Sequence, residues 1–177
     1  ERSPSLSNDR KILFFSRWPF RRIRDAKIYS AISTNGVYTD EEELPEPVNS
    51  GNAELAFVPS RKLPGFYFSS RRQGGYGGWD IYFTAFDGKQ FREPVNLGPG
   101  VNGPGDELFP TEGNGLLYFA SNIGGGLGRY DIYYKSIPGA AKESAREIKP
   151  LPAKVEPQEP EKTEPEKAAI PESEQKT

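Results

Sequence analysis

Carboxylates, arginines and aromatic rings are the side chains of this sequence whose types and spacing could carry chemistry. Asp106 and Glu107 are adjacent, and Glu54-Leu55 anticipates Glu107-Leu108. Paired acids are what glycoside hydrolysis requires. Acids set among Gly, Pro and Asn are far more often turn caps or solvated groups, and that is the expectation here. Trp79-Asp80 and Tyr130-Asp131 each close a glycine-filled segment. A carboxylate in that position can accept backbone N–H bonds and fix the loop, so Asp80 and Asp131 are assigned a structural, loop-fixing role. A calcium ligand is the sharper alternative, but each unit offers one obvious carboxylate where such an ion needs several oxygens. No metal and no cofactor are expected.

Histidine and cysteine are both absent. No Ser-His-Asp or Cys-His triad, no histidine zinc site, no imidazole base and no disulfide can therefore be completed within the chain. The glycine segments also fail the dinucleotide fingerprint Gly-x-Gly-x-x-Gly, because Asp80 and Asp131 stand where its third glycine belongs and no helix follows. The expectation is a protein that is not an enzyme.

Arginines recur beside aromatic residues in three segments: Arg17, Trp18, Phe20, Arg21, Arg22 and Arg24; then Arg71, Arg72, Tyr76 and Trp79; then Asn122, Arg129 and Tyr130. Guanidinium groups with aromatic rings suit carboxylates, anionic glycans or a protein surface. The plainer reading makes the aromatics packing residues and the arginines a solvated rim. The ligand- or partner-face set drawn from this pattern is Arg17, Trp18, Arg71, Arg72, Tyr76, Trp79, Asn122 and Arg129. Lys and Arg total 23 against 25 Asp and Glu, for a net charge of −2. That balance lacks the electrostatic signature of nucleic-acid binding. No apolar run approaches the roughly 20 residues of a membrane-spanning helix, so direct membrane insertion is not expected.

The elements that must position these groups show themselves as a repeat. Phe66 to Phe83 (FYFSSRRQGGYGGWDIYF) matches Leu117 to Tyr134 (LYFASNIGGGLGRYDIYY), and Leu13 to Tyr29 is a weaker copy with Lys27-Ile28-Tyr29 in place of Asp-Ile-Tyr. Ile28 to Ile81 is 53 residues and Ile81 to Ile132 is 51. Two further matches are read as keeping this step: Glu46-Pro47-Val48-Asn49 with Glu93-Pro94-Val95-Asn96, and Glu54-Leu55 plus Pro59 with Glu107-Leu108 plus Pro110. Runs of aromatic and β-branched residues bounded by Gly, Pro, Asn and Asp predict four short strands per unit. In the second unit they fall near 54 to 59, 65 to 70, 80 to 86 and 90 to 96. Asp87-Gly88 and Asn114-Gly115 supply the positive φ of tight antiparallel turns.

A four-stranded antiparallel unit repeating at about fifty residues is the signature of a propeller blade. The fold class expected is all-β: a partial β-propeller of about three four-stranded blades over residues 1–137, with blades near 3–49, 54–96 and 107–137. The meander places the second and third strands' connection (Arg71 to Trp79) on one face with the connection between units (Leu97 to Asp106). From 138 to 177 there is no aromatic residue, and Pro, Glu and Lys recur. That composition predicts a disordered linker, a spacer to something else. The absence of methionine and the opening at Glu1 read as a fragment or processed product, which leaves a missing signal peptide uninformative.

The segments GGYGGWDIYF and FREPVNLGPGVNGPGDELFP resemble the TolB-type propeller repeats of bacterial envelope proteins. The likeness covers roughly residues 3 to 137 and is degraded in the first unit, where RWPFRRIRDA lacks the glycines. The resemblance implies a non-catalytic binding or scaffolding module in the bacterial periplasm or cell envelope. It implies tethering to an OmpA-like, peptidoglycan-associated domain, a protein or cell-wall glycan partner, and further blades or domains of a parent chain. The alternative is the accessory propeller of an exported peptidase or glycosidase whose catalytic groups lie elsewhere.

Overall fold

Alternation of apolar and polar residues between tight turns leaves this chain one economical solution, a series of small antiparallel meanders. The computed structural model describes residues 1–137; the linker expected over 138–177 lies outside the described residues. The first sheet has the order β1 (Arg2–Leu6), β2 (Ile12–Arg17), β3 (Lys27–Thr34), β4 (Val37–Glu43). The second has β5 (Glu54–Pro59), β6 (Gly65–Ser70), β7 (Asp80–Ala85), β8 (Val95–Asn96). The third, among the described residues, has β9 (Glu107–Gly113), β10 (Leu116–Ser121) and β11 (Asp131–Ser136). A 3-10 turn at Ile23–Asp25 lies between β2 and β3. The fold is all-β, in three antiparallel sheets of three or four strands.

Cross-strand register shows how literal the repeat is. Ile28 pairs with Ser16, Ile81 with Ser69 and Ile132 with Ala120, each one step in from the start of the third strand. The first strand of each unit is bulged at one residue: Ser3, Ala56 and Phe109 have φ of 50°, 59° and 56°. A left-handed residue in this place twists an edge strand away from further pairing, which is how sheets guard open edges.

Two of the sequence matches are corrected by this register. Val95-Asn96 forms β8 and Val95 is exposed, whereas Val48 is fully buried, so Glu93 to Asn96 is not the counterpart of Glu46 to Asn49. The second unit's equivalents of Val48-Asn49 are Val101-Asn102, because both asparagines clamp the isoleucine of the third strand. Ile28 N–H donates to Asn49 Oδ1 (2.9 Å) and Asn49 Nδ2 donates back to Ile28 O (2.9 Å). Ile81 and Asn102 make the same pair at 2.8 and 2.9 Å. Pro59 and Pro110 are likewise not equivalent, since Pro110 directly follows its bulge at Phe109 while Pro59 stands three residues beyond Ala56.

The sheets stack through aromatic faces. Phe57, Phe68 and Tyr82 of the second sheet pack on Phe14 and Ile28 of the first, with the Phe14 and Phe57 rings edge-on at 5.2 Å. Leu117, Phe119 and Tyr133 of the third pack on Tyr67 and Ile81 of the second. Trp79 anchors a further cluster with Ala26, Ala53, Leu55, Ala56 and Leu108. Each aromatic ring buried in this way removes roughly 150–250 Å² from water, and these interfaces dominate the stability of so small a set of sheets.

Candidate functional site

The connection after β6 and the connection that leads into β9 meet on one side of the molecule, and backbone bonds join them. Gly78 N donates to Gly105 O (2.8 Å) and Glu107 N to Trp79 O (2.7 Å). Gly77 lies so close to the Gly103 and Gly105 carbonyls that a Cβ would overlap them, which is the physical reason for glycine there.

Asp106 is the hub of this junction. Its Oδ1 accepts from Trp79 N (3.2 Å), and its Oδ2 accepts from Tyr130 Oη (2.8 Å) and Asn122 Nδ2 (3.2 Å). Asp106 N donates in turn to Asn122 Oδ1 (2.7 Å). One carboxylate thereby ties the loops of the second and third sheets together. Tyr130 has its pKa raised, first by burial and then by the bond to Asp106, which favours the neutral phenol.

The residues proposed for a contact face divide. Arg71 is half-buried with its guanidinium 5.7 Å from the Trp79 ring, Tyr76 and Arg129 are exposed, and neither arginine has a carboxylate within ion-pair distance among the described residues. Asn122 is exposed but spends its amide on Asp106. Trp18 is half-buried against the Trp79 cluster, under the Arg2 guanidinium at 5.1 Å. Arg17 is committed to Glu1 and Glu41, each at 2.7 Å, and stacks on Phe15 and Tyr29.

Trp79 and Arg72 leave the set. Trp79 is a buried core residue. Arg72 lies over the Phe68 and Tyr82 rings (5.2 and 5.0 Å) and donates to Val48 O (2.8 Å) and Pro47 O (3.2 Å), stapling the second sheet to the segment following the first. Burial pulls its pKa down, with the nearby Glu54 charge pulling it back up. With Nε donating to Ser70 Oγ and Nη2 to the two carbonyls, most of the guanidinium is spent inside the fold and Nη1 alone keeps donors for a ligand.

The acids are structural in geometry. Glu54 is buried and accepts from Ser50 Oγ (2.5 Å) and Ser70 Oγ (2.9 Å), with Arg72 at 3.7 Å. Glu107 is buried and accepts from Ser121 Oγ (2.8 Å) and Gly103 N (2.9 Å). Of the two expected roles, turn cap or solvated group, Glu107 takes the first by accepting from Gly103 N and neither acid is solvated; each ties its own unit's first strand to the end of the second. Asp80 is buried and accepts from Tyr76 N (2.8 Å). Burial raises its pKa, while the Tyr76 and Gly77 amides and the Asn96 side chain oppose the shift. Asp131 accepts a longer bond from Gly128 N (3.4 Å). At Gly75 and Gly126 a Cβ would overlap the Asp80 and Asp131 carboxylates, so glycine and aspartate are coupled choices in both loops. Among the described residues no group of three or more His, Cys, Asp or Glu is placed to hold a metal ion.

On the side of the short turns, an open cleft of about 820 Å³ runs past Leu6, Arg10, Leu13, Tyr38, Val58, Arg61 and Glu112. Sequence reasoning missed it, because its walls come from different units. Its one buried acid, Glu112, accepts from Ser60 Oγ (2.6 Å) and Arg61 N (3.1 Å) and so braces the turn after β5. The asparagine clamps were also missed, although Val-Asn followed by Glu-Leu at the same spacing (48, 49, 54, 55 and 101, 102, 107, 108) carries their signal.

No family model matches the chain, and no curated protein or solved structure matches it.

Proposed function

We propose that this chain is a non-catalytic binding and scaffolding module whose three sheets are successive blades of a β-propeller of the TolB-like kind. The observation that carries the binding role is the Asp106 junction. Asp106 joins the loops of two sheets through three side-chain and backbone donors, and the two loops so joined also carry the half-buried Arg71 and the exposed Tyr76 and Arg129. A braced loop pays little ordering entropy on binding, so exposed guanidinium and phenol groups on it are preorganised for a carboxylate-bearing ligand. The partner read from this chemistry is an acidic protein segment or a cell-wall glycan peptide. The setting read from the repeat resemblance is the bacterial periplasm or cell envelope, with a tether to a peptidoglycan-associated domain. Burial of Glu54 and Glu107 in separate sheets supports the non-catalytic reading, since neither carboxylate has access to a substrate.

Titration of the chain with soluble, carboxylate-rich muropeptides and with an acidic peptide, followed by amide hydrogen exchange, tests this. Protection confined to residues 71–79 and 122–131 is the expected result. Double charge reversal, Arg71→Glu with Arg129→Glu, is expected to weaken the binding by at least about 100-fold while leaving the sheets intact. Unchanged binding in that variant, or protection only around the opposite cleft, overturns the reading.

A further inference from the structure

The connection after β2 keeps the backbone plan of the other two long loops and changes its side chains. Five residues beyond the one that faces the third-strand isoleucine (Ser16, Ser69 or Ala120), every unit has a left-handed residue: Arg21 at φ 61°, Gly74 at 86° and Gly125 at 104°. Glycine takes such an angle without strain. The first unit has arginine there instead, in a turn closed by Arg22 N donating to Pro19 O (2.9 Å), with Phe20 at its corner. Phe20 is 83% exposed and joins none of the apolar clusters. Ile23, in the 3-10 turn that follows, is 40% exposed.

The base of this loop is fixed, because Trp18 packs on the Trp79 cluster and the buried Ala26 accepts from Glu54 N (3.0 Å). The cations around its tip are unspent. Arg17 is held by Glu1 and Glu41, Lys27 by Glu43 and Arg22 by Asp25. Arg2, Arg21 and Arg24 are exposed, with no carboxylate in ion-pair distance among the described residues. Arg21 lies over the Phe20 ring and Arg2 over Trp18, each at 5.1 Å.

We infer that this loop docks the protein peripherally on an anionic lipid surface, with Phe20 and Ile23 entering the interfacial layer and Arg21, Arg24 and Arg2 meeting headgroup phosphates. Apolar side chains at the boundary of water and lipid, with cations at headgroup level, are how peripheral anchors hold a bilayer. Each basic residue near an anionic leaflet adds an attraction that salt weakens. Shape favours lipid over an acidic protein. Phe20 stands out at the corner of a tight turn, which a deformable interface accepts as it is, whereas a protein would have to supply a fitted pocket. Docking of this kind does not cross the bilayer, and no helix among the described residues is long and apolar enough to do so. It rests on residues 18–25 and Arg2 and not on the Asp106 junction, so this reading and the binding role proposed above fail separately.

Co-sedimentation of the chain of residues 1–177 with vesicles tests it, comparing equimolar phosphatidylglycerol and phosphatidylcholine with phosphatidylcholine alone. Binding to the anionic vesicles at low ionic strength is expected, falling as salt is raised and absent without phosphatidylglycerol. Phe20→Ser, and Arg21→Glu combined with Arg24→Glu, are each expected to weaken it at least about tenfold. These positions are exposed, and circular dichroism checks that the variants keep their strands. Arg21→Gly separates a lipid role from a structural one: it relieves the left-handed arginine, so the unfolding midpoint is expected to hold or rise while vesicle affinity falls about fivefold. Phe20→Trp is expected to add fluorescence that shifts to the blue on anionic vesicles, relative to the unsubstituted chain. No binding to anionic vesicles at low salt overturns the inference, as does binding that Phe20→Ser and the arginine variants leave unchanged, or unshifted emission from Phe20→Trp. Binding of soluble polyglutamate through the same residues, by a chain that ignores the vesicles, also overturns it and assigns the loop to an acidic protein.

Discussion

Asn102 holds Ile81 as Asn49 holds Ile28: in each pair the asparagine comes 21 residues after the isoleucine and bonds both its N–H and its C=O. The third strand thereby acquires a side-chain partner on the edge where the fourth strand has already left. Asn102→Ala strands the buried Ile81 N–H, because the Ile81 carbonyl keeps Leu97 N as a donor while the amide has no second acceptor. A cost of roughly 2–3 kcal/mol is expected, measurable as a shift in the urea midpoint without a change in slope. Asn49→Ala is expected to cost a similar amount, and a loss below about 0.5 kcal/mol in both would show the clamp to be dispensable.

The buried glutamates are expected to differ. Removing Glu107 as Glu107→Ala leaves the Ser121 hydroxyl donor and Gly103 N without an acceptor but strands no charged partner, a loss of roughly 2 kcal/mol. Glu54→Ala also takes from the largely buried Arg72 guanidinium the one carboxylate within ion-pair distance among the described residues, leaving the weaker field of Glu93. It is therefore expected to cost more, roughly 3–5 kcal/mol. Parallel denaturation of the two variants checks the order, and equal losses would mean that the 3.7 Å approach of Arg72 contributes nothing.

Glycine and aspartate are linked in the loops. Gly75→Ala forces the buried Asp80 carboxylate to move and is expected to cost about 1–3 kcal/mol, whereas Gly100, with open space around its Cβ position, is expected to accept alanine within about 0.5 kcal/mol. Thermal unfolding of the two alanine variants side by side reads the contrast.

Alkali is expected to loosen the Asp106 junction. The phenol of Tyr130 has its pKa raised above the ordinary 10.0, by burial and by the hydrogen bond to Asp106. A raised value means the fold favours the protonated form, so this contribution is complete below about pH 10 and is lost as pH rises through the folded value. Tyr130→Phe is expected to cost up to about 1 kcal/mol at neutral pH and to flatten the alkaline fall. Stability profiles of the two proteins between pH 8 and 11, or thereabouts, decide it, and parallel profiles would detach Tyr130 from the junction.

The sequence alone determined the repeat, because spacing of aromatic residues and turn glycines is a local property that survives in one dimension. The strands at 54–59 and 65–70 follow directly from it, and Ile28, Ile81 and Ile132 occupy matching register positions. Local likeness also misled: Glu93 to Asn96 copies Glu46 to Asn49 letter for letter, yet it forms a strand with Val95 in solvent, while Val48 is enclosed. Only the tertiary structure decided which asparagine clamps which isoleucine, that Arg72 and Trp79 are interior while Arg71 and Arg129 have no ion-pair partner among the described residues, and that Asp106 binds two loops. Each of those depends on which groups from different sheets arrive at one point. Burial and hydrogen bonding are properties of that meeting, and no single segment of the chain encodes them by itself.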